Sequence, residues 1–230
     1  MLARPDPADN RDVFINCPFD TAYEPLRDAL IFAASVCRLR PRCALEASNA
    51  GTTRIDKIVA IIRECRWGIH DISRTEPNAA GLPRFNMPFE PGLFLGAHRF
   101  GGRAQKAKSC LVLDRDPFRF QSFLSDIGGQ DIASHGDEPD RAIAAVRNWL
   151  AAELREQAPR LASGATSAAR FAAFKSDLPR ICQGMGLEPS ALTFTDTCET
   201  VSEWLIQSQS PPTAPAISDP AHRASRRRTG

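Results

Sequence analysis

Residues 52–73, "TTRIDKIVAIIRECRWGIHDIS", carry a helix signal and a strand signal back to back. Ile55, Ile58, Val59 and Ile62 recur at helical spacing and predict a buried face. Thr52 or Thr53 can cap the start, and Asp56 falls in the first turn, where a carboxylate favours the positive end of the helix dipole. "WGIHDIS" (67–73) then reads as a buried strand centred on Ile69, turning polar at Asp71. A helix that feeds directly into an apolar strand is the second half of a crossover between parallel strands.

The same alternation continues on both sides. "VFINCPF" (13–19) reads as a strand that ends near Asn16 or Cys17, broken by Pro18. Residues 23–37 predict a helix with a stripe of Leu26, Leu30, Ala33, Ala34 and Cys37. Thr21 and Glu24 there have capping-box spacing, and Pro25 falls in the first turn, where a missing N–H costs little. "PRCALE" (41–46) is a weaker strand, and "KSCLVLD" (108–114) is the strongest in the chain. Residues 121–136 predict a short helix, a Gly-Gly turn and a last strand or extended piece. Residues 138–155 predict a helix with Ile143, Val146, Trp149 and Leu150 inward. Two more helices are expected at 168–182, with Phe171, Phe174, Leu178 and Ile181 on one side, and at 193–208.

Strands that are apolar throughout argue for a parallel sheet covered on both faces. The expected fold is therefore α/β: a flavodoxin-like or Rossmann-like parallel sheet with helices on both faces, plus a C-terminal helical extension. The expected boundaries are a disordered lead-in (1–12), the α/β nucleotide-binding domain (13–158), the helical extension (159–208) and a disordered basic tail (209–230).

Composition narrows the function classes. The formal net charge is +2, but four of the arginines lie beyond residue 209, and without that tail the body is near neutral. No specific nucleic acid partner is expected on that balance. The seven cysteines include no C-x-x-C pair, and the four histidines share no ligand spacing, so no metal site is expected. No apolar run has membrane-spanning length and the first ten residues lack a signal-peptide core, so a cytoplasmic protein with no membrane partner is expected. Walker, G-x-G-x-x-G and G-x-S-x-G sequences do not occur.

In a parallel sheet, ligands bind beyond the carboxyl ends of the strands. The polar residues at those ends are Asn16, followed by Phe19 and Asp20, then Asp71 and Ser73, then Asp114. "NMPFEPGLFLGA" (86–97) adds a single carboxylate, Glu90, in an otherwise apolar run. Its two prolines fit a helix that starts near Phe89 or Glu90, which puts Glu90 at a helix N-terminus beside the cleft. Arg54 opens its own helix, where a cation is unfavourable unless it has another duty, such as holding a phosphate. Each residue also has a plainer reading. Glu90 can serve its own helix end, Asp71 can brace a loop, Asn16 can form a turn, Asp20 can cap the next helix, and Phe19 can pack in the core.

These stretches carry a family resemblance. "VFINCPFD" resembles the opening strand and loop of TIR domains and of the related nucleoside 2-deoxyribosyltransferase-like proteins. "RIDKIVAIIRECRWGIHDIS" is similar to their helix-and-strand segment, and "FNMPFEPGLFLGA" to the segment in which a glutamate opens a helix. The likeness covers roughly residues 13–150, and Pro91 stands where that family usually carries an aliphatic residue. The resemblance implies an N-glycosidase that acts on NAD or a related nucleotide and needs no further cofactor. It also implies Glu90 as the catalytic carboxylate. Asp71 and Asn86 would hold ribose hydroxyls or orient the glutamate. Phe19 would stack on the base and Arg54 would meet a phosphate, with Asn16, Asp20, Ser73 and Asp114 completing the binding edge. Two other readings share the fold: a nucleotide sensor without turnover, and a module that assembles into a homo-oligomer.

Overall fold

A computed structural model describes residues 10–46, 50–77, 80–155 and 160–209; the expected basic tail and most of the lead-in lie outside them. Five strands form one parallel sheet: β1 (Asp12–Asn16), β2 (Arg40–Arg42), β3 (Trp67–Asp71), β4 (Ser109–Asp114) and β5 (Ile132–Ser134), in the order β2-β1-β3-β4-β5. The helices are α1 (Glu24–Val36), α2 (Arg54–Glu64), α3 (Asn86–Phe100), the short α4 (Arg103–Lys106), α5 (Pro139–Glu153), α6 (Gly164–Met185) and α7 (Phe194–Gln209). This is the expected flavodoxin-like or Rossmann-like architecture, with helices on both faces and a helical C-terminal extension. Among the described residues no helix is long and apolar enough to cross a membrane.

Alternation along the strands distributes the core. Val13, Ile15, Trp67, Ile69, Leu111 and Leu113 point to the face covered by α1 and α5. Phe14 and Cys110 point to the other face, where Ile58, Ile61 and Ile62 of α2 and Phe94 of α3 meet them. The apolar stripe of α2 therefore differs from the expected one: Ile55 and Val59 are 42% and 38% exposed. Five consecutive apolar residues, 58–62, leave helical periodicity without a unique inward side. Contact with Phe14 and Phe94 selects Ile58, Ile61 and Ile62.

His70 is fully buried on this face, edge-on to Phe14 at 5.8 Å and to Phe94 at 5.1 Å. Burial and then the nearby Lys108 push its pKa down to about 3, so it packs as a neutral ring. Lys108, itself buried, donates to the carbonyls of Ile62 and Cys65 and so satisfies the C-terminal end of α2.

The C-terminal helices belong to the α1–α5 core. Phe32 of α1 lies 5.3 Å from Phe171, 5.6 Å from Phe174 and 5.7 Å from Trp204, ring centre to ring centre. Polar ties reinforce this packing. Lys175 pairs with the buried Asp28 at 2.9 Å, and the Trp204 indole donates to Asp177 at 2.9 Å. Phe171 and Phe174 thus pack within the chain, against Phe32 of α1 and beside Trp204 of α7.

Two further boundaries depart from expectation. β2 ends at Arg42, short of the expected 46, because the chain turns there and Arg42 pairs with Glu46 at 2.5 Å. α3 begins at Asn86, not near Phe89, so Pro91 lies inside the helix. An internal proline supplies no N–H to the carbonyl four residues back, here that of Met87. The Asn16 amide donates to that carbonyl at 3.1 Å and replaces the missing bond. Pro88 falls in the first turn, where its N–H would have no helical partner in any case.

Candidate functional site

The strand order puts β1 and β3 side by side, while their following helices, α1 and α3, leave to opposite faces. This is the topological switch point of a doubly wound sheet, the place at the carboxyl edge where such sheets have their ligand crevice. The loop after β1, the start of α2 and the start of α3 flank it.

Glu90 lies in the second turn of α3, and its residue is only 4% exposed. No hydrogen bond or ion pair to its carboxylate is formed among the described residues. Burial pushes its pKa up to about 7, and the Arg54 guanidinium pulls the other way. The expectation that Glu90 opens the helix is corrected: α3 has no acid in its first turn, so the helix N-terminus does little to keep Glu90 ionised. Arg54 is the first residue of α2, capped by Thr53. Its guanidinium carbon lies 5.9 Å from the centre of the Phe19 ring, a cation–π distance. It forms no ion pair with a carboxylate among the described residues. Arg54 thus touches Phe19 and lies close enough to Glu90 to act on its charge, and Asn86, at the start of α3, is exposed. Cys17 lies beneath them. Its thiol is pushed well up by burial first and then by Asp71, with a contribution from Glu90, so it is a poor nucleophile.

Asp71 has a different surrounding. It is fully buried and accepts from the Tyr23 hydroxyl and from the Ser73 backbone N–H, the latter at 2.7 Å. His135 Nε2 lies 3.0 Å from the same carboxylate. His135 Nδ1 accepts from the Asp137 N–H at 3.0 Å, which leaves the ring proton on Nε2, facing Asp71. Burial alone would raise the Asp71 pKa, but His135, Ser73 and Tyr23 together hold it below the usual carboxylate range. The structure thus makes Asp71 the centre of a closed polar bracket that joins the turn before α1, β3 and the residue after β5, not a group presented to the crevice.

Three more expected ligand residues are held by the protein, Ser73 through its backbone only, its buried hydroxyl having no partner among the described residues. Asn16 serves the Met87 carbonyl, as above. Ser73 and Asp114 are fully buried under Arg119. Arg119 donates to Asp114 from Nε at 2.9 Å and Nη2 at 2.6 Å, and to the carbonyls of Ile72 and Ser73 at 2.9 Å each. This staple closes the β3–β4 part of the edge and separates it from the β1–β3 crevice.

Asp20 accepts from the Tyr23 N–H at 3.1 Å and caps a 3-10 turn, Thr21–Tyr23, that leads into α1. Asp20, not Thr21, is therefore the cap. Its other oxygen pairs with Arg84 at 2.7 Å and ties together the two loops beside the crevice. Replacing Asp20 by alanine should lower folding stability by about 1 kcal/mol, the usual cost of a lost cap, in urea denaturation. A loss below a few tenths of a kcal/mol would return Asp20 to the role of free ligand group.

Tyr23, His135, Arg119 and Arg84 were not singled out from the sequence. Tyr23 offers one clue, since it is the only tyrosine in the chain and sits at the start of a helix whose inner face is otherwise apolar. His135 and Arg84 act through carboxylates distant in sequence, and Arg119 joins the nearby Asp114 to the distant carbonyls of Ile72 and Ser73, so none leaves a local pattern. Comparison of the chain with protein-family models, with curated proteins and with solved structures returned no match, so the crevice is read from its own geometry.

Proposed function

We propose that the β1–β3 crevice binds NAD or a related nucleotide and that Glu90 promotes cleavage of its N-glycosidic bond. The observation that carries this is the contrast between two buried acids. Asp71 is fully satisfied by protein donors, whereas Glu90 is buried beside a crevice without one. An acid held that way is costly to stability and is the kind of group functional sites retain.

In the proposed reaction the bond from the anomeric carbon to the base breaks, and its electron pair leaves with the base. Positive charge develops on the ribose, and an ionised Glu90 beside it stabilises that charge. Water then adds to the anomeric carbon and loses its proton to solvent. A cationic nicotinamide ribose favours the ionised form of Glu90, as Arg54 does. Phe19 provides a stacking face, Arg54 a phosphate partner and Asn86 a hydroxyl partner. The TIR and deoxyribosyltransferase resemblance agrees with this assignment of Glu90.

The test is base release from NAD, NADP, nucleosides and their monophosphates, followed by mass spectrometry with wild type and Glu90→Gln. Release by wild type should fall by roughly 10²–10³-fold in the variant. Because the ionised form acts, kcat/KM should rise with pH through about 7 and level off above it. A second reading is a nucleotide sensor without turnover. Burial favours it, since a neutral Glu90 near pH 7 can donate a hydrogen bond to a ligand. Retention of a nucleotide with no base release would select the sensor.

A further inference from the structure

A second cavity lies at the opposite end of the molecule. α1 runs back from the carboxyl edge, so its C-terminal residues sit at the amino edge of the sheet. There the C-terminal end of α1, with α5, α6 and α7, encloses about 380 Å³. Arg38, Arg147, Arg160 and Arg170 line it, and no carboxylate does. Its apolar wall includes Val36, Leu161 and Leu205.

The four guanidinium groups are not equivalent. Arg147 is committed to the protein: it donates to the carbonyls of Leu161 and Ala162 and so holds the chain that leads into α6. Arg170 lies over the Trp204 ring at 5.4 Å. Arg38 and Arg160 have no hydrogen bond or ion pair from their side chains among the described residues. Like charges gathered without counter-charge repel, and an anion between them relieves that.

Two independent features point the same way. Ser167 is 2% exposed and lines the cavity, so it places a polar side chain in the wall. Arg38 ends α1 in the left-handed region at φ 65°, with the Arg38 N–H bonded to the Ser35 carbonyl and the Leu39 N–H to that of Ala34. That position in a helix-ending motif is normally glycine, because a side chain there is strained. An arginine kept there places a guanidinium at the rim at a conformational cost. The N-terminus of α6, capped by Ser163, adds the positive end of a long helix.

We propose that this cavity is a binding site for a phosphorylated small molecule of about mononucleotide size, distinct from the Glu90 crevice. Its phosphate oxygens meet Arg38, Arg160 and Arg170, its polar body meets Ser167, and its apolar part rests on Leu161 and Leu205. A site of this volume suits such a ligand.

Titration calorimetry of the full chain at low salt, with pyrophosphate and ribose 5-phosphate as probes and ribose as the uncharged control, tests the proposal. Both phosphates should bind saturably and ribose should not. Arg38→Gly relieves the left-handed strain, so it should fold at least as well as wild type, yet weaken both phosphates by roughly tenfold. Arg170→Met, which keeps an apolar stem over Trp204, should weaken them similarly. Arg54→Ala, at the other end of the molecule, should leave this binding intact whatever becomes of the proposed crevice activity. The proposal fails if neither phosphate gives saturable binding. It also fails if Arg38→Gly and Arg170→Met bind as tightly as wild type, or if binding is lost in Arg54→Ala instead.

Discussion

Replacing Asp71 by alanine is expected to lower folding stability by roughly 3 kcal/mol or more, because three buried donors lose their common acceptor. The carboxylate is fully buried, and three donors converge on it: the Tyr23 hydroxyl, the Ser73 N–H and His135 Nε2. Alanine leaves all three in a dry interior without an acceptor, and each such group costs on the order of 1–3 kcal/mol. Asparagine should cost less, since its oxygen still accepts from one side, although its amide hydrogens then face another donor. The pH dependence follows from the depressed carboxyl. The folded pKa lies below the unfolded value of 3.8, so the stabilisation is complete above that value and is lost as pH falls through the folded one. Denaturant unfolding of wild type, Asp71→Ala and Asp71→Asn at neutral and acid pH measures this. An alanine variant with an unchanged midpoint would return Asp71 to the crevice as a ligand group.

Glu90→Gln should do the reverse and stabilise the protein above neutral pH. Here the folded pKa, about 7, is above the ordinary 4.5. Between those values the native chain holds a proton that the unfolded chain has released, so wild-type stability falls as pH rises across this window and then levels off. A shift of this size corresponds to at most ~3 kcal/mol. Glutamine keeps the shape and removes the charge, so the two proteins should be nearly equal in stability near pH 4.5 and separate towards pH 8. Unfolding curves that run parallel over the whole range would mean that Glu90 is not desolvated in solution. Together with lost base release, a gain in stability would mark Glu90 as a residue retained for chemistry at a structural cost. A loss of both stability and activity would point to a packing role.

The two acids show how far local reading extends. Both stood out in the sequence, Asp71 as the polar end of a strand and Glu90 as the lone carboxylate in residues 86–97. Which one is braced and which is left unbraced depends on His135 and Tyr23, brought in from a distant loop and from another helix. Neither partner has a periodic or spaced relation to Asp71. The β3–β4 edge is a similar case. Asp114 was recognisable as a strand end, but the arginine that covers it opens a short 3-10 turn, Arg119–Ser122, that carries no apolar period.

Pro91 shows the same division within one helix. A proline in the run 86–97 suggested a helix that begins late, because an internal proline leaves a carbonyl without its bond. That inference is sound for an isolated helix. It fails here because Asn16, at the end of a strand 71 residues before Met87, supplies the donor. The resulting shift of the α3 start takes Glu90 away from the helix N-terminus and leaves burial as the main influence on its proton.

From the amino-acid order alone, the alternation of apolar strands and amphipathic helices specified a parallel, two-faced sheet, and strand ends and caps such as Thr53 followed with it. These features are local: they depend on side-chain period, on backbone donors and on the few residues beside them. Tertiary packing assigned the roles. It selected the inward face of α2, closed Asp71 and Asp114 into protein networks, and brought Arg54 against Phe19 and close to Glu90. Partner choice between elements is a matter of three-dimensional proximity and desolvation, and neither is written into the spacing of residues along a chain.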